Sequence, residues 1–312
     1  MFRLEPQFRA RPWGGQRLRD ADPPIGEAWI AFGDSHVADG PAAGRTVAQL
    51  VVEDPDGVLG TVVAERYGIR FPLLIKLLDT AAWLSVQVHP NDVQAERLLG
   101  TGEWGKTEAW HVIAADTGAR GRVGVRPGTT RDELSAAIRG GRVIDLMRDL
   151  EFRVGETILV PAGTLHTIGP GLLLYEAQQA SDATFRAHDW GRPAGPDRPL
   201  HVEQSVAVAD PAGTPVVAPP PVLTGTDVAT VATCRYFRLD LLHVEDEPLV
   251  ADTDGRSFHL LTAIDGSVEI AGGGPAVALR PRETALVAGG IGAYRATATA
   301  APARLMRASV PA

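Results

Sequence analysis

The stretch Gly155-Glu156-Thr157-Ile158-Leu159-Val160-Pro161-Ala162-Gly163-Thr164-Leu165-His166 decides how this chain is read. Gly155 opens a turn, a strand runs to Val160, and Pro161 with Gly163 bends the chain so that His166 projects inward. A lone histidine at a strand end is more often a satisfied structural residue than a ligand. The reading therefore depends on which other donors share its face.

Two further segments supply them. In Ser85-Val86-Gln87-Val88-His89-Pro90 the amide of Gln87 and the imidazole of His89 lie two residues apart. On a strand they point the same way, and Pro90 ends that strand, which puts the pair at its tip. In Gly105-Lys106-Thr107-Glu108, Lys106 and Glu108 again share a face, with Trp110 next along it, while His111 has the opposite parity and is left out of the site. Gln87, His89, Glu108 and His166 offer two imidazoles, a carboxylate and an amide oxygen. That set suits a borderline divalent ion such as Zn2+, with a position left for water or substrate. We expect one Zn2+ per chain, or another divalent ion in its place.

The composition sets the frame. The chain has 312 residues, a length that suits two domains of roughly 150. Hydrophobic residues make up 45% and charged residues 22%, enough apolar surface for a true core. The 34 glycines and 24 prolines recur in short clusters, a pattern of many short strands joined by turns. A net charge of −8 gives no general attraction for nucleic acid or anionic membranes, so an anionic substrate needs a locally basic pocket. The single cysteine, Cys234, excludes an intrachain disulfide and reads as a small buried hydrophobe. The first residues hold no hydrophobic signal region and no stretch reaches the length of a membrane span, so the cytoplasm is the expected location.

Along the chain, residues 1–70 read as short strands punctuated by turns. Short helices are expected near 91–100, capped by Asn91 or Asp92, and across 130–148, where Thr130 and Glu133 form a capping box and Gly140-Gly141 ends the main helix. From Glu151 onward the pattern returns to strands. The prolines of 211–222 mark a linker or edge segment, which divides a first domain, 1–210, from a second, 223–312. The second half shows no polar constellation.

The basic residues add an independent clue. Of 30 lysines and arginines only two, Lys76 and Lys106, are lysine. Arginine serves for general surface charge, so a position that remains lysine is one where a compact ammonium is needed. Lys106 stands two residues from a proposed ligand.

At this point the sequence resembles a known family. Phe71-Pro72-Leu73-Leu74-Ile75-Lys76, the Gln87/His89 and Lys106/Glu108 segments, Pro161 to His166, Gln178-Gln179, Ser181-Asp182-Ala183-Thr184-Phe185-Arg186 and Asp189-Trp190-Gly191-Arg192 are similar to the short bacterial form of the type I mannose-6-phosphate isomerases. The likeness runs over roughly residues 10–205. It implies an all-β, cupin fold: two jelly-roll β-barrel domains, the second degenerate, with a small helical insertion in the first. It implies a metal-dependent aldose–ketose isomerase that interconverts mannose 6-phosphate and fructose 6-phosphate through an enediol. Gln87, His89, Glu108 and His166 fall on the family's zinc ligands, Arg186 on its active-site arginine, and Lys106 on a lysine of the same pocket. On this reading Arg186 and Lys106 are catalytic, and Arg192 and Asp182 bind substrate, Arg192 at the phosphate. A water on the metal, Lys106 and Asp182 all stay open as the proton-transfer base. The expected partner is a small sugar phosphate, and the expected state a monomer or small homo-oligomer. The sequence departs from the family at Ile30 to Asp34, where a Val-Ser pair is usual, and at His111 and His188, where tyrosine-like aromatics are expected.

Two other classes use the same donors. An Fe2+ cupin dioxygenase could take His89, Glu108 and His166 as its two-His, one-carboxylate triad, but Gln87 would fill a position an oxygenase leaves open. A non-catalytic sugar-binding cupin would need no Arg186.

Overall fold

A computed structural model describes residues 1–193, 195 and 198–311. The protein is mostly β, and the chain divides into two compact units that interleave in sequence. One unit gathers Met1–Phe8, Ala28–Leu77 and Pro220–Ala312; the other gathers Arg9–Glu27 and Leu78–Pro219. One division falls at Pro219/Pro220, inside the proline-rich segment. The sequence reading ran its first domain unbroken over 1–210, whereas here the stretches at its beginning belong with the C-terminal residues.

In the unit that contains the C-terminus, an eight-stranded sheet runs in the order Phe2–Leu4, Thr284–Val287, His259–Ala271, Ala293–Ser309, Arg238–Val244, Asp227–Thr233. Leu249–Asp252 and Val277–Leu279 pair at its sides. Leu242, Leu261, Val287 and Leu305 are among the buried side chains of one core cluster. Residues 47–67 correct the expectation of strands throughout 1–70: they form three short helices, Val47–Glu53, Pro55–Leu59 and Thr61–Tyr67. Pro55 and Gly60 cut the segment into pieces too short to show a helical period, and each start is fixed locally. Thr46 and Gln49 form a capping box, and Asp54 accepts from the Gly57 N–H. Gly60 has φ +87°, and a Cβ there would lie 2.4 Å from the Arg256 carbonyl carbon, so glycine is required on both counts.

The other unit carries the sequence motifs. One sheet has five strands in the order Phe185–His188, Val86–Val88, His166–Ile168, Arg120–Val125, Met147–Glu151. A second sheet includes the run Val216–Ala218, Thr157–Val160, Glu108–Ala115, Leu172–Gln179. Val123 and Ile168 of the first and Trp110, Ile158, Val160 and Leu174 of the second share one buried cluster. Alternation does the sorting. Val86 and Val88 join Leu134 and Ile138 of the helix Arg131–Arg139 in a different cluster, so Gln87 between them faces the other way.

The helices Asp92–Leu99 and Arg131–Arg139 form where expected, with capping boxes at Asn91/Gln94 and Thr130/Glu133. The second ends earlier than 148: Val143–Leu146 is one 3-10 turn and Met147–Glu151 is a strand. The expectation of strands alone after Glu151 is also corrected, by the helix Val202–Val208. Within the proline-rich segment Val216–Ala218 pairs with Thr157–Leu159 as an edge strand. Among the described residues no helix is long and apolar enough to cross a membrane.

The C-terminal unit holds a buried charge that the sequence reading passed over. Asp240 is 1% exposed and accepts from Arg307 Nε and Nη2 (3.1 and 2.7 Å), Arg238 Nε (2.9 Å) and the Thr230 hydroxyl (2.7 Å). Burial pushes its carboxyl pKa up, but Arg307, Thr230 and Arg238 outweigh this and hold it below the usual value. A depressed carboxylate contributes stability that is complete above its unfolded value, about 3.9, and lost as the pH falls through the folded one. Asp240→Ala, which leaves Arg307 without its carboxylate, is therefore expected to destabilise the protein by about 3 kcal/mol at neutral pH. Urea unfolding should show that deficit in full at about pH 6 and shrinking only as the pH falls below about 4.

Candidate metal centre

The register of the two sheets brings the donors together. His166 pairs directly with Gln87, and Gln87 on its other side with Arg186, so Arg186, Gln87 and His166 stand in one row on one face. On the other sheet Glu108 pairs with Gln178, and Trp110 with Glu176, forming a second patch of side chains with common parity.

His89, Glu108 and His166 place one ligand atom each within 4.8 Å of one another, and all three are buried. Glu108 Oε2 lies 3.4 Å from His89 Nε2, and Glu108 Oε1 lies 3.2 Å from His166 Nε2. Each imidazole uses its other nitrogen on a backbone carbonyl: His89 Nδ1 on Ala183 O at 2.8 Å, His166 Nδ1 on Thr164 O at 2.9 Å. A carbonyl only accepts, so the proton sits on Nδ1 and each Nε2 presents its lone pair inward.

Burial and then the Lys106 charge push the His89 pKa down to about 3, and burial lowers that of His166. Burial would raise Glu108, but the Lys106 ammonium overcomes it and holds the carboxyl well below its ordinary range. The three donors are thus in the deprotonated form that a cation needs. His166 Nε2 is buried without a hydrogen-bond partner and faces Glu108 Oε1 at 3.2 Å, an arrangement costly for a purely structural cluster and natural for a ligand atom. The donor set fits a divalent ion.

Lys106 lies against this cluster, with Nζ 2.9 Å from Glu108 Oε2, 3.2 Å from His89 Nε2 and 3.9 Å from Glu176 Oε1. Burial pulls its pKa down, yet Glu108 and Glu176 carry it above the ordinary lysine value, so the ammonium persists. Lys76 is also buried, in the C-terminal unit, with its ammonium 5.0 Å from the centre of the Trp29 ring.

The remaining predicted residues are placed less uniformly. Arg186 Nη1 donates to Pro199 O at 2.7 Å, while its buried Nε has no hydrogen-bond partner. Arg192 donates to Asp189 Oδ1 at 3.1 Å and to Trp83 O at 2.7 Å, and Arg198 binds the same Asp189 carboxylate. Asp182 is exposed. His111 is buried off this face, its Nδ1 paired at 2.9 Å with the Thr157 hydroxyl. The sequence reading missed Glu176 and Gln178 as members of the site. Their two-residue spacing within Leu172–Gln179 was an available signal, but nothing in it said that this strand pairs with Glu108–Ala115.

The class is now defined: a mostly β protein with a buried His/Glu/His metal centre flanked by cationic side chains. Residues 1–108 match the family described as phosphomannose isomerase type I, catalytic domain. The chain is 36% identical over 248 residues to the mannose-6-phosphate isomerase of Streptococcus mutans, covering 75% of this chain and 76% of that one. It is 39% identical over 217 residues to the probable mannose-6-phosphate isomerase GmuF of Bacillus subtilis, covering 66% and 67%. The crystal structure of the mannose 6-phosphate isomerase from Bacillus subtilis superposes with a TM-score of 0.85 at 28% identity over 98% of both chains. The chain belongs to the type I mannose-6-phosphate isomerase family.

Removing any one of the three donors should empty the centre. His166→Ala is expected to lower bound metal, measured by inductively coupled plasma mass spectrometry after gel filtration, by more than tenfold, since a buried site with two protein ligands binds far more weakly. Chelation of the wild-type protein should lower its Tm, and adding back a divalent ion should restore it.

Proposed function

We propose that this chain interconverts mannose 6-phosphate and fructose 6-phosphate, with a zinc ion held by Gln87, His89, Glu108 and His166. The observation that carries this reading is the placement of cations around the donors. The buried Lys106 ammonium lies 2.9 Å from Glu108, and Arg186 shares a row with Gln87 and His166. A net-acidic protein that gathers positive groups at one buried site is suited to an anionic substrate. The same feature, with Gln87 in the ligand row, speaks against an oxygenase working on an apolar compound.

The reaction moves a proton between C1 and C2, and its difficulty is the negative charge that develops on the oxygens at those carbons. A bound divalent ion supplies Lewis-acid polarisation of those oxygens. Lys106 keeps its proton and presents it as a fixed donor to a substrate oxygen. Arg186, tied by Nη1 to Pro199 O, keeps the buried Nε–H free to meet the developing charge. Glu176, a buried carboxylate 3.9 Å from Lys106, holds that ammonium in place from the far side. Arg192 is the candidate for the phosphate; with two nitrogens engaged by Asp189 and Trp83 it offers a fixed charge more than an open fork. Asp182, exposed and three residues before the strand that carries Arg186, is the candidate for a sugar hydroxyl. The expected location is the cytoplasm.

A coupled assay that follows fructose 6-phosphate from mannose 6-phosphate tests the reading. Turnover is expected in metal-loaded protein and is lost with a chelator; no turnover in metal-loaded protein would remove the assignment. Arg186→Ala should lower kcat by about 10²- to 10³-fold with the metal content unchanged. Near-normal turnover in that variant would take Arg186 out of the chemistry.

A further inference from the structure

Three successive backbone N–H groups around Lys106 are each held by a different partner. Gly105 N–H donates to Asp92 Oδ1 at 2.9 Å, Lys106 N–H to Pro90 O at 2.9 Å, and Thr107 N–H to Gln179 Oε1 at 2.9 Å. The two side-chain acceptors are themselves joined, Gln179 Nε2 donating to Asp92 Oδ1 at 2.8 Å. Thr107 can only donate here and Asp92 can only accept, so the amide of Gln179 satisfies both in one orientation. Gln179 is buried, and Gly105 sits so close to the His89–Asp92 segment that a Cβ there would lie 2.5 Å from the Asn91 carbonyl carbon. Just beyond, the Ser181 hydroxyl donates to Trp104 O at 2.8 Å.

The segment that carries Lys106 and Glu108 is thus fastened to the segment that carries His89, at a site where Lys106 Nζ lies 3.2 Å from His89 Nε2. We propose that Asp92 and Gln179 form a latch that sets the Gly105–Glu108 segment against His89–Asp92, making both of them positioning residues for Lys106 and Glu108. The catalytic part of this inference rests on the isomerase reading of the site. Neither residue belongs to the donor set or to the groups assigned to substrate. Their effect passes through the backbone: loss of one acceptor frees an N–H on one side of Lys106 and lets the ammonium drift from the geometry that chemistry needs.

The test compares Gln179→Ala, Asp92→Ala, the double variant and Asp92→Asn, which keeps an Oδ1 acceptor for Gly105 and Gln179. Hydrogen exchange by mass spectrometry of the peptide containing residues 105–108, with the strand Met147–Glu151 as internal control, reads the latch without reference to activity. Exchange of the 105–108 peptide should accelerate about tenfold in both alanine variants and stay near wild type in Asp92→Asn. Zinc affinity, from competition with a chromophoric chelator, should fall about tenfold in the alanine variants, because Glu108 is carried by the same segment. In the mannose 6-phosphate assay kcat should fall about 10- to 100-fold with KM within about threefold, Asp92→Asn should recover most of it, and the double variant should lose little more than the worse single one. Unchanged exchange in the alanine variants would overturn the latch. So would accelerated exchange with wild-type zinc affinity and kcat, or losses in the two singles that multiply in the double. If wild-type protein turns over no mannose 6-phosphate, the isomerase reading fails by itself, and exchange and zinc affinity still decide the latch.

Discussion

The site depends on one buried carboxylate. Glu108 lies at the start of a strand, 1% exposed, in a place where a lone charge would protonate instead of staying ionised. It stays ionised because the Lys106 ammonium lies 2.9 Å away. A buried ion pair of this kind adds little net stability, since desolvation of both charges offsets their attraction. Its retention is better understood through binding: the cluster leaves His166 Nε2 buried without a hydrogen-bond partner, its lone pair 3.2 Å from Glu108 Oε1, an energetic liability that a bound cation removes.

The surrounding structure distributes that liability. Each histidine is locked at Nδ1 by a carbonyl, and those carbonyls belong to Ala183 and to Thr164 beside the Pro161–Gly163 bend. The five-stranded sheet sets Arg186, Gln87 and His166 in a row, while the facing sheet sets Glu108 and Gln178 above Trp110 and Glu176. Lys106, just before the strand of Glu108, touches the donors, and Arg186 stands in the row of His166. The C-terminal unit keeps its own buried charge, Asp240, fully paired by Arg307, Arg238 and Thr230, in contrast to the unpartnered His166 Nε2.

Legibility followed the range of the interactions involved. The cap at Asn91 and the capping box at Thr130/Glu133 were readable because four consecutive residues contain the whole device. The helices between Val47 and Tyr67 were not, because each is only five or seven residues long and its stability comes from packing more than from its own period. Gln178 and Glu176 alternate correctly along their strand, yet all of Leu172–Gln179 is buried, so alternation alone could not tell core face from site face.

Donor type and parity were determined by the sequence itself. A strand alternates with period two, so Gln87 with His89, and Lys106 with Glu108, were bound to share faces wherever their strands lay. Pairing was decided only by the tertiary structure. Thr107 and Gln179 are 72 positions apart and His89 and Ala183 are 94 apart, and local sequence carries no record of such partners. Those long-range bonds turn a set of correctly spaced donors into a centre in which Glu108 touches both imidazoles and Lys106 at once. Register, once chosen, is strict, because a one-residue slip would turn His166 and its row away from the site.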